Sequence, residues 1–370
     1  MKSFSRKIIL LGIIVVSFAL FAFGCKNKVD KSKGLFVEKW DNIYMGTNIK
    51  FYNEDFSTSY LKSLSEDQGL FSKVEGATTD MDKSLKLLAW THEMFTFNKG
   101  SESGKEDAKD IIDSLKDAKK ASDKDMSIVF AQAVRTAGVY SRLGEFRVKD
   151  SQFYKKDSSL YVVEIWSKEL NKWVMIDVAH KAYFSYEEVP LSAMEVLNRN
   201  IAELEVREVE KIEKYKKEMA KYLYSYSIPI DNNFVGIKKS NAYITYIPEG
   251  DMPELKSLNS YAGPSLYVNK VDMFQFSPTK EYVDDKSDDK ATFILMKGEP
   301  SLDKLEELGF VVGAFKNSVM VKEYYVSING SEYAKVNKYF DLAIKPGENT
   351  ITLSEDGKTS VKEIKIQYKK

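Results

Sequence analysis

The chain has 370 residues, 43% of them hydrophobic and 13% aromatic, and its 55 basic residues are balanced by 55 acidic ones. This length is enough for two or three domains with apolar cores of their own. A net charge near zero, without a clustered basic patch containing aromatic residues, argues against a nucleic-acid partner.

The N-terminus has the pattern of an export signal, predicted over residues 1–24. "MKSFSRK" supplies a basic start, and "IILLGIIVVSFALFAFG" supplies the apolar run that follows it. The ending "FAFGC" resembles a bacterial lipobox, and this resemblance implies that Cys25 receives a lipid and becomes the mature N-terminus. Cys25 is the only cysteine of the chain, so it has no partner for an internal disulfide.

From this pattern we expect a lipoprotein signal peptide, lipid attachment at Cys25 with acyl groups such as palmitate, and a tether over 25–40. The expected location is the cell membrane, with the chain lipid-anchored and facing outside the cytoplasm. The membrane is then a partner through the N-terminal lipid. The alternative is an uncleaved membrane anchor that carries an incidental cysteine.

The next part of the chain is predicted to contain three helices. Two of them are the segment 80–97 and the segment "AKDIIDSLKDAKKA" that follows a polar loop. The third begins after "ASDKD" and is expected to end at Gly138. Its apolar residues fall on one helical face, at Met126, Phe130, Ala133, Val134 and Ala137.

After these helices the pattern changes to strands. "SLYVVEIWS" (159–167) and "KWVMIDVA" (172–179) are rich in β-branched and aromatic residues and predict a hairpin. The charged segment 191–228 predicts a connecting helix, because Glu and Lys recur at spacings of three and four residues. The remainder, 229–370, alternates between apolar and polar residues and predicts a β-rich, sandwich-like region.

The order of these elements resembles the transglutaminase-like superfamily, whose members share a papain-type Cys–His–Asp arrangement. The resemblance implies an α+β fold with a transglutaminase-like domain over 41–190. Two segments carry it, "VRTAGVYSR" and "VVEIWS…KWVMIDVAHKAYF". The residues that match the family's spacing are Arg135, Gly138, Val139, Arg142, Glu164, Trp166, Trp173 and Asp177.

The positions of the family's catalytic triad carry other residue types in this chain. The nucleophile position falls on Asp123, the histidine position on Leu160 and the third position on Asp177. Because Leu160 cannot transfer a proton and no thiol stands at Asp123, the resemblance implies a degenerate site without catalytic residues. The domain is then a pseudoenzyme that has kept the site's scaffold.

Nearby serines and histidines are the candidates to replace the missing nucleophile and base. Ser122 and Ser127 flank the nucleophile position, but a serine needs a base even more than a thiol does. His92 has no second histidine at metal spacing, and strand parity places His180 on the other face or beyond the strand's end. Two carboxylates, Asp123 and Asp177, could share a proton or hold a cation, but they are few ligands for calcium.

No metal and no cofactor are therefore expected. The acidic segment 284–290 lacks the EF-hand spacing and is predicted to be a surface loop. The retained scaffold suggests a groove that binds a peptide, a glycan or an envelope protein. Its candidate lining residues are Tyr161, Glu164, Trp166 and Trp173, with hairpin packing as the alternative for the two tryptophans.

The sequence is also compatible with two other functions. The first is a hydrolase or transferase that uses non-standard residues near Asp123 and Asp177. The second makes the β-rich region the working part and the first domain a spacer.

Overall fold

The computed structural model describes residues 31–154, 156–255, 263–298 and 308–370. Residues Lys33–Lys370 form one compact unit. The predicted signal peptide and Cys25 lie outside the described residues. Within the described ranges, no helix is both long enough and apolar enough to cross a bilayer.

The α-helices of the described residues lie between residues 59 and 219. They are α1 (Ser59–Gln68), α2 (Leu70–Lys73), α3 (Asp80–Met94), α4 (Ala108–Leu115), α5 (Asp123–Thr136), α6 (Ala193–Leu197) and α7 (Ile212–Met219). The three predicted helices are confirmed as α3, α4 and α5, but α3 ends at Met94, α4 ends at Leu115 and α5 begins at Asp123, inside "ASDKD". Helix α5 is the most buried of them, and Gly138, with a φ of 75°, ends it in the left-handed region.

The first twelve strands form the central sheet and two small sheets, except for one strand that belongs to a later sheet. In chain order they are β1 (Gly34–Trp40), β2 (Thr96–Phe97), β3 (Lys120–Ala121), β4 (Ser141–Arg147), β5 (Ser159–Ser167), β6 (Lys172–Ile176), β7 (Tyr183–Tyr186), β8 (Val189–Pro190), β9 (Glu205–Arg207), β10 (Ser225–Pro229), β11 (Tyr243–Tyr246) and β12 (Ser265–Val268). The central sheet has the order β12-β11-β10-β4-β5-β6, and the predicted hairpin is confirmed as β5 and β6. The two small sheets are β2 with β3 and β8-β7-β9, and the exception is β1.

The central sheet separates two apolar cores. Because side chains alternate along a strand, Val163 and Ile165 of β5 face the core that contains α5. Leu160 and Val162 face the opposite core, which also holds residues of α6, α7, β7 and β9. The sheet therefore fixes which hairpin residues can reach the start of α5.

The prediction of one connecting helix over 191–228 is wrong. A capping box at Ser192 starts α6, which ends at Leu197, and the chain then forms β9, α7 and β10. The charged residues favour a helix locally, but Val206 of β9 pairs with Phe184 of β7 and is buried in the core. Tertiary packing thus overrides the local helix preference.

The remaining strands lie in two sheets. They are β13 (Thr292–Lys297), β14 (Leu308–Lys316), β15 (Val319–Met320), β16 (Glu323–Ile328), β17 (Ala334–Asn337), β18 (Tyr339–Ile344), β19 (Gly347–Ser354) and β20 (Ser360–Lys369). One sheet has the order β1-β20-β19-β16-β17; in the other, β14 pairs with β13, β15 and β18. Buried residues of both sheets share one apolar core.

Two expectations about domain organisation need correction. Residues 34–40 belong to β1, which pairs with β20, so they do not extend a tether to residue 40. Strands β11 and β12 follow residue 229 but belong to the central sheet. The alternating pattern predicted strands correctly in both places and could not assign them to a sheet. The boundaries at 41, 191 and 229 stay predictions.

Candidate functional site

The N-terminal end of α5 is held by its own capping residues. Ser122 accepts a hydrogen bond from the Asp125 backbone N–H at 3.0 Å, and its hydroxyl donates to Asp125 Oδ2 at 2.9 Å. The Asp125 carboxylate also accepts from the backbone N–H of Ser103 at 2.8 Å. Ser122 is thus engaged as a helix cap, and its hydroxyl already has its partners.

Asp123, the predicted counterpart of the family's nucleophile, is the first residue of α5. Its side chain is nearly buried, with 5% of the residue exposed, and Oδ2 accepts the backbone N–H of Tyr161 at 2.9 Å. Burial raises the pKa of Asp123 above its ordinary value, although the Tyr161 N–H and the charge of Lys99 oppose this. The nearby charge of Asp177 raises that pKa further.

Asp177 directly follows β6 and is fully buried. Its Oδ2 lies 2.8 Å from Nδ1 of His180 and accepts the Tyr215 hydroxyl at 2.8 Å. Its Oδ1 accepts the backbone N–H of His180 at 3.2 Å. Because a carboxylate can only accept, Nδ1 of His180 carries the proton and Nε2 is left as the second reactive nitrogen.

The imidazole of His180 lies between two aromatic rings. Its ring centroid is 5.2 Å from that of Phe97 and 5.4 Å from that of Tyr215. Burial alone would lower the pKa of His180, but the charge of Asp177 and the hydrogen bond to it outweigh burial and raise that pKa. The charge of Asp123 also raises it, so His180 belongs to the same electrostatic site.

Of the two alternatives predicted for His180, the second holds: it lies beyond the end of the strand, and there its side chain meets Asp177. Strand β6 ends at Ile176, and the chain turns between Asp177 and Ala182, which form an isolated antiparallel bridge. Strand parity does not apply inside a turn, so a spacing of three residues brings the two side chains together. The sequence signal was present in "DVAH", an aspartate three residues before one of only two histidines.

Leu160 and His92 lie outside this arrangement. Leu160, the predicted counterpart of the family's histidine, is buried in the core on the far face of the sheet. His92 of α3 has Nε2 at 2.7 Å from the Val178 carbonyl oxygen, and burial lowers its pKa. This histidine therefore holds the turn after β6 to α3.

Glu164 does not line a groove. It is fully buried and forms an ion pair with Arg142, whose Nη2 lies 2.6 Å from Oε2. The Tyr226 hydroxyl donates to the same oxygen at 2.9 Å, and the Ala193 N–H donates to Oε1 at 2.9 Å. Both oxygens of this carboxylate thus accept hydrogen bonds, and these bonds join β4, β5, β10 and α6.

The two tryptophans also pack rather than line a groove. Trp166 and Trp173 are buried and meet edge to face, with ring centroids 5.5 Å apart. Trp173 Nε1 donates to the Phe276 carbonyl at 2.8 Å, and the Arg142 guanidinium lies 4.0 Å from its ring. Of the four predicted groove residues, Tyr161 alone faces a cavity.

That cavity lies beside α5 and has a volume of about 230 Å³. We call it the α5 cavity; its lining includes Lys124, Ile128, Tyr161, Asn232, Phe234 and Tyr243. Asn232 is buried, and within the described part of the chain its Oδ1 has no hydrogen-bond partner. A buried acceptor without a partner is costly unless a ligand or water supplies a donor.

The described residues contain no group of three or more His, Cys, Asp or Glu side chains that could hold a metal ion. In the segment 284–290, Asp288 is buried, accepting the Tyr44 hydroxyl at 2.9 Å and the Asn317 N–H at 2.7 Å. This carboxylate therefore anchors its segment to the body of the protein.

Comparison with known proteins gives one family. A search of curated proteins found no match to this chain. The family model of the transglutaminase-like superfamily matches residues 68–178, which run from the end of α1 to the residue after Asp177. The match contains Asp123, Leu160 and Asp177 and stops two residues before His180. Residues 68–178 are thus a transglutaminase-like superfamily domain.

Proposed function

We propose that the transglutaminase-like domain binds an envelope peptide in the α5 cavity without transferring its acyl group. The observation that carries this proposal is the Asp123 carboxylate, held by the Tyr161 N–H where the family has its thiol. A carboxylate attacks an amide carbon poorly, because the attack would form an unstable mixed anhydride on Asp123 while the amine leaves. The scaffold around α5 is kept while its covalent chemistry is lost.

The lining of the α5 cavity supports a peptide ligand. The free Oδ1 of Asn232 can accept a peptide N–H, and Lys124, whose ammonium group pairs with Glu102 at 2.7 Å, adds a further donor at the cavity. Phe234 and Tyr161 add aromatic surface on which a side chain can pack. A glycan or a folded envelope protein remains an alternative ligand.

The test uses the full-length protein with glutamine-bearing and cell-wall-derived peptides. Mass spectrometry follows both peptide turnover and peptide retained on the protein. We expect retention without turnover, unchanged in Asp123→Ala and weakened in Asn232→Ala. The matched control is Asn198→Ala, which removes an amide from the end of α6, away from the cavity. Turnover that is lost in Asp123→Ala would overturn the proposal.

A second candidate function is a hydrolase based on His180, and the hydrogen bond between His180 and Asp177 favours it. With Nδ1 bonded to Asp177, Nε2 of His180 can take a proton from water and so activate it. Asp123 would then act as a neighbouring charge. Ester hydrolysis that survives in Asp123→Asn and is lost in His180→Gln would support this function over the first.

We also propose that the chain is an exported lipoprotein, anchored to the cell membrane through a lipid on Cys25 and facing outside the cytoplasm. The lipobox-like ending "FAFGC" and the absence of any second cysteine support this proposal. A lipid anchor would place the binding domain at the membrane surface, where envelope peptides are available to it.

A further inference from the structure

We propose that a second cavity, separate from the transglutaminase-like domain, binds a long-chain fatty acid. This cavity, here called the basic cavity, has a volume of about 720 Å³ and lies where β13, β14 and β15 approach the loop before β11. Its volume falls within the range of about 300–1,000 Å³ that is typical of small-molecule sites. The inference does not depend on the function proposed for the α5 cavity.

The floor of the basic cavity is apolar. It is formed by Ile230, Ile294, Met296, Val311, Phe315 and Met320. Methionine side chains adapt to irregular apolar ligands, which suits a flexible alkyl chain. Gly313 lies in the middle of β14, and a Cβ built there would come within 2.3 Å of the Met320 methyl group, so a larger residue would displace the floor.

Three lysines stand at the cavity: Lys50, Lys238 and Lys239. The ammonium groups of Lys50 and Lys239 lie 5.5 Å and 5.3 Å from the centroid of the same Tyr52 ring. In the described part of the chain, no carboxylate lies within ion-pair distance of these three lysines, and none lines the cavity. Cations that converge without a counter-ion form a site for an anion.

The nearest carboxylate on the same loop is already engaged. Asp231 accepts the backbone N–H groups of Asn233, Lys239 and Ser240, so its oxygens turn into the loop and away from the cavity. The positive charge at the cavity is therefore not neutralised by this residue. The charged side chains that line the cavity, and that an anionic group would meet there, are the three lysines.

The chemistry of the walls favours an alkyl carboxylate over a peptide. A bound peptide backbone needs both donors and acceptors, whereas the charged side chains of the lining are all lysines, which only donate, and Ser318 already accepts the Lys50 N–H at 3.0 Å. At the mouth, Val319 and Tyr339 are 62% and 57% exposed. An alkyl chain would cover this apolar surface while its carboxylate meets the lysines.

The experiment uses the full chain in phosphatidylcholine nanodiscs and a palmitic acid that carries a photoreactive diazirine on its alkyl chain. After irradiation, peptide mass spectrometry maps the labelled residues. We expect labelling on β14 and β15. In the double variant Lys50→Gln/Lys239→Gln we expect about tenfold weaker labelling by the acid, as for two exposed charge contacts. The control is Lys62→Gln/Lys116→Gln, which removes exposed lysines from the helical region.

Three further results decide between ligands. The methyl ester of the probe lacks the charge and should label wild type and the lysine variant equally, which also shows that the variant is folded. Val311→Trp should reduce labelling by both probes, because it fills the floor. Labelling that is unaffected by both changes would overturn the proposal.

The remaining controls address the source of the alkyl chain. A phosphatidylcholine with the same diazirine chain should leave β14 and β15 unlabelled. If this phospholipid labels them and the free acid does not, the site takes membrane lipid and the proposal is wrong. Displacement of the acid probe by an acidic peptide, but not by palmitate, would overturn it as well.

Discussion

Nδ1 of His180 lies 2.8 Å from Oδ2 of Asp177, within one turn of chain that follows β6. The resemblance predicts the family's histidine position at Leu160 on β5, whereas His180 lies outside the matched range of 68–178. A carboxylate–imidazole pair is thus present, but it is built from a neighbouring residue rather than across two strands.

The pKa of His180 should lie above the ordinary value of a histidine. Its pKa is raised mainly because the Asp177 charge outweighs burial, so the protonated form is favoured by folding. The stabilisation is full below the unfolded pKa of about 6.5 and is lost as the pH rises through the folded pKa. NMR of the imidazole resonances against pH measures this, and Asp177→Asn should bring the pKa down.

His92 is the internal control for that titration, because the chain has only these two histidines. Burial lowers the pKa of His92, so its contribution has the opposite sign: it is present above about pH 6.5 and lost as the pH falls through the folded pKa. If both histidines titrate at the same pH, the charge of Asp177 does not reach His180 as the geometry requires.

Asp123→Asn should stabilise the fold at pH 7. Burial raises the pKa of Asp123, so the ionised carboxylate is disfavoured in the native state. Its amide oxygen can still accept the Tyr161 N–H. Urea unfolding should show the gain at neutral pH and little difference below pH 3.8, the ordinary pKa of the group. A loss of stability at pH 7 would mean that Lys99 compensates the charge fully.

Glu164→Gln should cost about 3–5 kcal/mol of unfolding free energy, because it leaves Arg142 buried without its counter-ion. The matched control is Glu93→Gln, which breaks the exposed pair with Lys73 and should cost less than about 1 kcal/mol. Denaturant unfolding of both variants gives the comparison. Equal costs would show that the buried pair contributes no more than a surface pair.

Cys25→Ser should release the protein from the membrane fraction and abolish incorporation of an alkyne-labelled palmitate. The expected result follows from the lipobox-like pattern, since a serine cannot form the thioether that carries the diacylglyceryl group. Cell fractionation and in-gel fluorescence measure the two effects. Membrane retention of the unlabelled variant would instead support an uncleaved apolar anchor.

The helices and the hairpin could be predicted because their signals are local. The apolar face from Met126 to Ala137 and the alternation in 159–167 each depend on neighbours in sequence. For the same reason the positions of Asp123 and Asp177 at the ends of their elements could be located. The family resemblance predicts both residues at one site, and the charge of Asp177 raises the pKa of Asp123.

The predictions that failed depend on contacts between residues that are distant in sequence, or on the residue at which a helix or strand ends. The alternation of side chains along a strand could not locate His180, because β6 ends at Ile176, one residue before Asp177. Glu164 and Trp173 looked available for a groove because their partners, Tyr226 and Phe276, come from later segments. The charge spacing over 191–228 described a helix that packing against β7 replaces with a strand.

The pairing of β1 with β20 sets an order of assembly. Gly34 is in register with Lys369, so an early-synthesised strand finds its partner only when the last one is made. Until then β1 and β19 would each present an open edge, to which other chains can add. Such distant pairing folds slowly, because the loop between the two strands spans nearly the whole described chain.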